Sequence, residues 1–229
     1  MTLPGSRYNC RKFRRSLASR NALWKRIIDV SGAVLLLILL FPLFVMIGVL
    51  IKIVSPGPVF FKQKRVGYQG KLFDCLKFRT MMVNADSSVH EHYVCQLTCS
   101  EKPLTKLDME GDERIIPLGN LLRITAMDEL PQLINIIRGE MSLIGPRPCL
   151  PCEARSYQIW QRKRFCAMPG LTGLWQVNGK NRTTFMEMIR MDIRYVKEMS
   201  LWLDMKILVG TIPAVFSQVV QYMANKRAS

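Results

Sequence analysis

The sequence predicts an α+β protein: mostly helical, monotopic in a membrane, with an N-terminal re-entrant membrane helix hairpin, a small β-hairpin and interfacial amphipathic helices. Three observations carry this. A charge-free apolar run from Val30 to Ile51 is interrupted by Pro42 and flanked on both sides by basic residues. Two stretches of strand-like pattern follow it around a glycine turn. Helical periodicity dominates the remainder.

The chain of 229 residues suits one catalytic unit with an anchor. Residues 1–24 read as a basic arm, 25–54 as the re-entrant membrane helix, and 55–229 as a cytoplasmic catalytic domain lying on the membrane surface. Formal net charge is +16. Arg7, Arg11, Lys12, Arg14, Arg15, Arg20, Lys25 and Arg26 precede the apolar run with no acidic residue among them. A tail of this kind needs an anionic partner. Membrane lipid explains the adjoining apolar run, and nucleic acid does not.

Within that run Pro42 removes a backbone hydrogen bond and kinks the helix. The arms, about 12 residues before it and about 9 after, reach about 14–18 Å at 1.5 Å per residue. Neither crosses a hydrocarbon core of about 30 Å. Lys52, Lys62, Lys64, Arg65, Lys71, Lys77 and Arg79 follow the run, so both ends read as cytoplasmic. A bent helix that enters and leaves by one leaflet meets all of this; a kinked single span is the competing reading. A cleaved signal peptide is excluded, because the core is too long and no small-residue cleavage site follows.

Ser55-Pro-Gly-Pro58 ends the anchor. Val59–Val66 and Lys71–Phe78 then read as two strands around a turn at Gly67–Gly70, placing Lys77 and Arg79 together on the return strand. Residues 83–113 read as a helix followed by a loop. Beyond Pro148 a helix is expected over Cys152–Phe165, a turn-rich connection over Met168–Gly179, and a helix over Met186–Met199 that carries Asp192. In the last block, Leu201–Asn225, the uncharged stretch Ile207–Tyr222 contains Pro213, Ser217, Gln218 and Gln221 and reads as an interfacial amphipathic helix. Tyr195, Trp202 and Tyr222 mark either a membrane–water boundary or core positions.

The seven cysteines, Cys10, Cys75, Cys95, Cys99, Cys149, Cys152 and Cys166, are odd in number and scattered, which suggests reduced thiols in a cytoplasmic setting. A zinc site built from Cys95, Cys99, Cys149 and Cys152, with His90 and His92 nearby, is the weaker reading because the spacings are loose.

The chemistry concentrates at Asp128-Glu129. Two adjacent carboxylates stand where a helix is expected to begin, with Arg123 before them and Arg147 after. Leu130, Leu133, Ile134 and Ile137 give that helix an apolar face, Pro131 is tolerable in its first turn, and Gly139 is a stop. The positive end of a helix keeps a carboxylate ionised and attracts phosphate. Such a carboxylate serves as nucleophile, metal ligand or plain helix cap, and spacing alone leaves all three open.

Several ordered motifs narrow the choice. Lys25-Arg-Ile-Ile-Asp-Val, Ser55-Pro-Gly-Pro-Val-Phe-Phe, Gln63-Lys-Arg-Val-Gly, Lys77-Phe-Arg-Thr-Met81, Asp128-Glu-Leu-Pro-Gln-Leu133, Gly145-Pro-Arg-Pro148, Pro169-Gly-Leu-Thr-Gly-Leu-Trp-Gln176 and Trp202-Leu-Asp-Met-Lys-Ile207 occur in sequence. Together they closely resemble the bacterial sugar transferases, the monotopic phosphoglycosyl transferases that begin lipid-linked glycan assembly.

The resemblance implies transfer of a hexose-1-phosphate from a UDP-hexose to undecaprenyl (polyprenyl) phosphate at the cytoplasmic face of a bacterial inner membrane. Asp128 aligns with the nucleophile that forms a phosphosugar intermediate and releases UMP. Glu129 aligns with the ligand of a Mg²⁺ cofactor. Lys77, Arg79, Arg123, Arg147 and Pro148 align with positions near the phosphates or nucleotide, and Asp192 with an acidic position assigned to the metal. The run into Thr211-Ile-Pro-Ala-Val215 resembles exopolysaccharide-type members, favouring galactose or glucose. A homo-oligomer is compatible with this. Where the family often has serine before the kink proline, this chain has Phe41, and with only a basic arm before the hairpin it looks like the minimal catalytic form. The competing class is a membrane-tethered basic binding or scaffold protein, which leaves the carboxylate pair without a role.

Overall fold

A computed structural model describes residues 21–83, 85, 112, 114–179 and 183–228. Most of the arm at 1–24, most of the segment expected as helix and loop over 83–113, and the cysteines and histidines of the zinc reading before Cys149 lie outside these residues.

The apolar run forms two helices, α1 (Asn21–Leu39) and α2 (Phe41–Val54), with their axes bent by 63° at Leu40. Pro42 falls in the first turn of α2, where its missing N–H costs nothing and its fixed φ favours a helix start. The pair is apolar enough for membrane association, as either a broken span or a re-entrant loop. Leu35, Ile38, Phe41 and Ile53 are exposed on it, while Ala33, Ile47 and Ile51 are buried against the remainder of the protein. At Gly32 an added Cβ would lie 2.8 Å from Leu143 Cδ1, so the small residue lets α1 approach closely.

Strands β1 (Phe60–Val66) and β2 (Leu72–Phe78) pair antiparallel with Phe60 opposite Phe78 and Val66 opposite Leu72, within a residue of the boundaries expected from the pattern. The elements that follow are α3 (Gly119–Ile124), α4 (Gln132–Arg138), β3 (Ser142–Ile144), α5 (Pro151–Ser156), β4 (Gly170–Thr172), α6 (Leu174–Val177), α7 (Phe185–Glu198) and α8 (Leu201–Ala228). The fold is therefore α+β and mostly helical.

Three expectations change. The parallel pair β3–β4 was not foreseen, because its strands are three residues long and joined through backbone contact rather than through a periodic pattern. Gly145 and Gly170 make that contact: a Cβ on Gly145 would fall 2.2 Å from the Met168 carbonyl, and one on Gly170 would fall 2.1 Å from Gly145 N. The helix expected over Cys152–Phe165 ends at Ser156; Tyr157 is extended, and a 3-10 turn resumes at Gln161–Cys166. Tyr157 leaves the helix to enter the core, where it is 3% exposed and packs with Phe165 and Phe185. The cysteines also differ from uniformly reduced thiols: Cys75 and Cys149 are buried free thiols, but Cys166 is disulfide-bonded, a pairing that linear spacing does not encode.

Three apolar clusters hold the elements together. One joins α1, α4, β3 and α7 through Ala33, Leu133, Ile136, Leu143 and Tyr195. A second gathers Val66, Tyr157, Phe165, Trp175 and Phe185. The third places α2 on β2 and α3 through Ile47, Ile51, Phe78 and Leu122, with Phe44, Met127 and Leu130 packed against it. Each fully buried aliphatic or aromatic side chain contributes about 1.5–3 kcal/mol. Tyr195 is thus a core residue, whereas Trp202 is 70% exposed.

Helix α8 runs through Pro213, and by length and composition it could cross a membrane. Its exposed apolar residues Trp202, Met205, Val209, Ile212, Phe216, Val220 and Met223 recur at intervals of three and four, which gathers them into one stripe. A stripe of this kind also suits a helix lying in an interface.

Candidate active site

Asp128 and Glu129 lie in a single 3-10 turn, Met127–Glu129, and α4 starts three residues later at Gln132, after Pro131. The carboxylates therefore precede the helix rather than occupy its first turn, and α4 has seven residues, so its dipole is a minor influence on them. Ala126, in the left-handed region at φ 57°, redirects the chain into this turn. A non-glycine residue held there stores about 1–3 kcal/mol of strain, which packing around the turn must offset.

That packing comes from both sides. Met127 and Leu130 flank the pair and rest on the cluster built around α2. From α4, Leu133 and Ile136 are fully buried, while Ile134 is half-buried and Ile137 lies toward the surface. The buried face is thus rotated from the expected Leu130–Leu133–Ile134–Ile137 stripe, because Asn135 also points inward.

Asn135 is 0% exposed. Its Oδ1 accepts from the Leu76 N–H at 2.9 Å, and its Nδ2 donates to the Asp74 carbonyl at 2.7 Å and to Glu140 Oε2 at 2.6 Å. Asp74 and Leu76 face the edge of β2 that β1 does not use, so the Asn135 amide completes that edge as a further strand would. One side chain thereby fixes the turn of carboxylates against the strand that carries Lys77.

Lys77 Nζ donates to Glu129 Oε1 at 2.9 Å and stands 3.9 Å from Asp128 Oδ2. Asp128 is buried at 8% exposure, whereas the Glu129 side chain is 34% exposed. Burial opposes the charge on Lys77, but Glu129 and Asp128 outweigh it, and the amine is held above its ordinary value. The result is a carboxylate pair beside the fixed Lys77 cation, with one carboxylate enclosed and the other turned toward solvent.

The remaining expected residues divide. Arg79 is 4% exposed, and its fork donates to the Ser55 carbonyl at 2.6 Å and the Pro56 carbonyl at 2.7 Å, clamping the exit of α2. Arg123 lies on α3, one turn before the carboxylates. Arg147 donates to both oxygens of Glu153, at 3.1 and 3.0 Å, with its side chain 23% exposed. The backbone of this loop is gripped as well: Arg164 donates to the Arg147 carbonyl at 2.7 Å, and Arg65 to the Pro148 carbonyl at 2.9 Å. Pro148 contributes a held carbonyl.

Asp192 lies inside the core, paired with a cation of the chain. It is 1% exposed and ion-paired with Arg164 at 2.5 Å, and burial pushes its carboxyl up to about 6. Its place on α7 between Met188, Ile189, Tyr195 and Val196, all buried, puts it on the inward face of that helix. Among the described residues no group of three or more His, Cys, Asp or Glu side chains is gathered to hold a metal, so Asp192 does not join Asp128 and Glu129 in such a set.

Sequence reasoning missed Asn135, Glu153, Arg164 and Arg65. Each carried a signal: a lone amide in an apolar helix, or a charge in a segment otherwise destined for the core. Glu153, fully buried, accepts from the Leu150 N–H at the start of α5 as well as from Arg147. Burial works against its charge, but Arg147 and Arg65 more than compensate and hold its carboxyl below the usual range.

Comparison with known proteins matches residues 20–218 to the family described as bacterial sugar transferase. An exopolysaccharide production protein, ExoY, of Sinorhizobium fredii is 42% identical over 191 residues, covering 83% of this chain and 84% of the relative. A UDP-glucose:undecaprenyl-phosphate glucose-1-phosphate transferase of Caulobacter vibrioides is 38% identical over 201 residues, covering 84% of this chain and 70% of its own. An undecaprenyl-phosphate galactose phosphotransferase of Salmonella typhimurium is 36% identical over 206 residues, 89% of this chain and 43% of its own. With the motifs in order and most of its length matched, this chain belongs to the bacterial sugar transferase family.

Proposed function

We propose that the protein transfers a hexose-1-phosphate from a UDP-sugar to undecaprenyl phosphate, in two steps, at the cytoplasmic face of a bacterial inner membrane. The observation that carries this reading is the pairing of Lys77 with Glu129 and Asp128 in a chain whose relatives include named UDP-glucose and galactose transferases of that kind.

In the first step an Asp128 oxygen attacks the phosphorus that bears the sugar. The bond to the UMP phosphate breaks, UMP leaves, and the phosphosugar stays on Asp128 as an acyl phosphate. In the second step a phosphate oxygen of the polyprenyl acceptor attacks the same phosphorus. The bond to Asp128 breaks, the carboxylate is regenerated, and the diphosphate-linked sugar departs. Such transfer rests on positioning and on neutralising charge as it spreads over the phosphoryl oxygens. Lys77 supplies one fixed positive charge, and Arg123 and Arg147 lie on the elements before and after the turn.

Mg²⁺ fits this site. The ion keeps octahedral oxygen coordination and is commonly held by one or two carboxylates together with substrate phosphates, so a cage made wholly of protein ligands is not needed. Glu129, half-exposed beside Asp128, would hold it, and when bound it supplies charge neutralisation at the diphosphate.

In this reading α1 and α2 form a re-entrant hairpin, residues 55–229 rest on the membrane surface as the catalytic domain, and the stripe on α8 lies in the interface. The acceptor keeps its phosphate at the interface, and the packing of Met127 and Leu130 on the α2 cluster sets the carboxylates against the anchor.

The test is UMP release by the purified protein in lipid nanodiscs with undecaprenyl phosphate, across a panel of UDP-sugars. UDP-glucose or UDP-galactose is expected to turn over fastest, and Asp128→Asn to abolish release while membrane association persists. Undiminished turnover by Asp128→Asn would sink the assignment.

A further inference from the structure

The start of α1 is not only an anchor. Its polar residues each hold a different part of the catalytic unit. Arg26 donates from Nη1 to the Ile136 carbonyl at 2.6 Å and from Nη2 to the Ile137 carbonyl at 2.9 Å. These two carbonyls are at the end of α4, the helix that follows the carboxylate turn. Asp29, 5% exposed, accepts from the Leu143 N–H of β3 at 2.9 Å. Lys25 pairs with Asp204 on α8 at 2.6 Å, and Asp204 also accepts from the Tyr195 hydroxyl at 2.8 Å.

A planar guanidinium that bridges two successive carbonyls fixes a helix end in direction as well as distance, which a single point contact does not do. Gly139 takes part, since its left-handed φ of 82° ends α4 and an added Cβ there would come 3.5 Å from Arg26 Nη2. At its midpoint the same short helix is docked on β2 through Asn135, so it moves as a body with the carboxylate turn and Lys77.

We infer that Arg26 is a positioning residue that sets the height of Asp128 and Glu129 relative to the membrane-embedded hairpin, and so governs delivery to the lipid-borne acceptor more than cleavage of the soluble donor. This rests on the two-step reading above. A UDP-sugar reaches the carboxylates from solution, and its cleavage depends on Asp128, Lys77 and their immediate surroundings. The acceptor phosphate is tethered at a fixed depth, so only the second step senses a displacement of α4 from α1.

The experiment measures the two steps separately in nanodiscs, with Arg26→Gln and Arg26→Lys. Single-turnover UMP release without acceptor reads the first step. Transfer from the preformed intermediate to undecaprenyl phosphate reads the second, and transfer to a water-soluble short-chain prenyl phosphate serves as an untethered comparison. For Arg26→Gln we expect UMP release within about twofold of wild type, transfer to undecaprenyl phosphate slowed at least tenfold, and transfer to the short-chain acceptor slowed less. Arg26→Lys, with one donor centre in place of a fork, is expected to show the same split at smaller size. Arg138→Gln removes a charge from the same helix end at an exposed position and is expected to leave both steps unchanged.

Both steps falling in parallel with thermal stability would overturn the inference by making Arg26 a general fold residue. Both steps unchanged, or equal slowing with the tethered and short-chain acceptors, would overturn it as well. If Arg26→Gln does not accumulate as folded protein, Arg26→Lys alone decides on the same criteria. Absence of single-turnover UMP release in the wild type would instead remove the two-step reading itself, so the two failures are distinguishable.

Discussion

Replacing Asn135 with leucine tests how the carboxylate turn is held against Lys77. The two side chains have the same number of heavy atoms, so the substitution leaves no large cavity, but methyl groups placed where the amide makes 2.6–2.9 Å contacts must push the neighbouring groups apart. It removes the acceptor for the Leu76 N–H and the donor for the Asp74 carbonyl at a site that is 0% exposed. A buried polar backbone group left without a partner costs about 1–3 kcal/mol. Two such groups, less a modest gain from burying an apolar side chain, give a destabilisation of about 2–5 kcal/mol. For a protein of this size each kcal/mol lowers the melting temperature by about 2–4 °C, so a fall of about 5–15 °C is expected. Thermal unfolding in nanodiscs reads that fall. UMP release, measured well below the transition, reads the consequence for the site: a loss of at least tenfold as β2 and Lys77 shift relative to Glu129. A melting temperature within 2 °C of wild type together with an unchanged rate would refute the claim that this amide sets the site.

Two further predictions follow from the same geometry. Burial opposes the charge on Lys77, but Glu129 and Asp128 outweigh it and hold the amine above its ordinary value, so its ion pairs are intact below the ordinary lysine range and their contribution is lost only as pH rises through the raised folded value. The rate of UMP release should therefore show no alkaline fall below about pH 10, and Lys77→Met should lower it about 100-fold across that plateau; an alkaline limb near neutrality in the wild type would count against the assignment of Lys77. The re-entrant hairpin can be read by labelling single cysteines at positions 20 and 56 in an otherwise cysteine-free variant, with both expected to be protected from an impermeant external reagent in whole cells and both reactive after lysis, whereas labelling of one site from outside would mean a span.

Much of this arrangement was legible in the chain because it is local. Pro42 inside an apolar run gives a bend, a glycine turn between Val66 and Lys71 gives the hairpin of β1 and β2, and a three-to-four spacing gives α7. Family motifs drew attention to Asp128, Glu129 and Lys77, and the fold brings these together. What escaped is long-range and polar. Nothing near Arg79 in sequence says that its fork closes on the backbone after α2, nor does the helical position of Asp192 announce Arg164 as its partner. The start of α4 was placed too early because Asp, Glu and Pro suit a helix N-terminus, while the left-handed Ala126 and the packing of Met127 and Leu130 instead favour a 3-10 turn. Such contacts link residues 23 to 179 positions apart, as in Arg79–Pro56 and Lys25–Asp204, and periodicity carries no information at that range.

Whether Asp128 is the nucleophile is read from the mass of the protein after incubation with UDP-glucose or UDP-galactose and Mg²⁺ in the absence of acceptor. A covalent hexose-phosphate adduct is expected on the peptide that contains Asp128, discharged on addition of undecaprenyl phosphate and absent from Asp128→Asn. An active preparation that forms no adduct, or an adduct that persists in Asp128→Asn, would contradict Asp128 as the nucleophile.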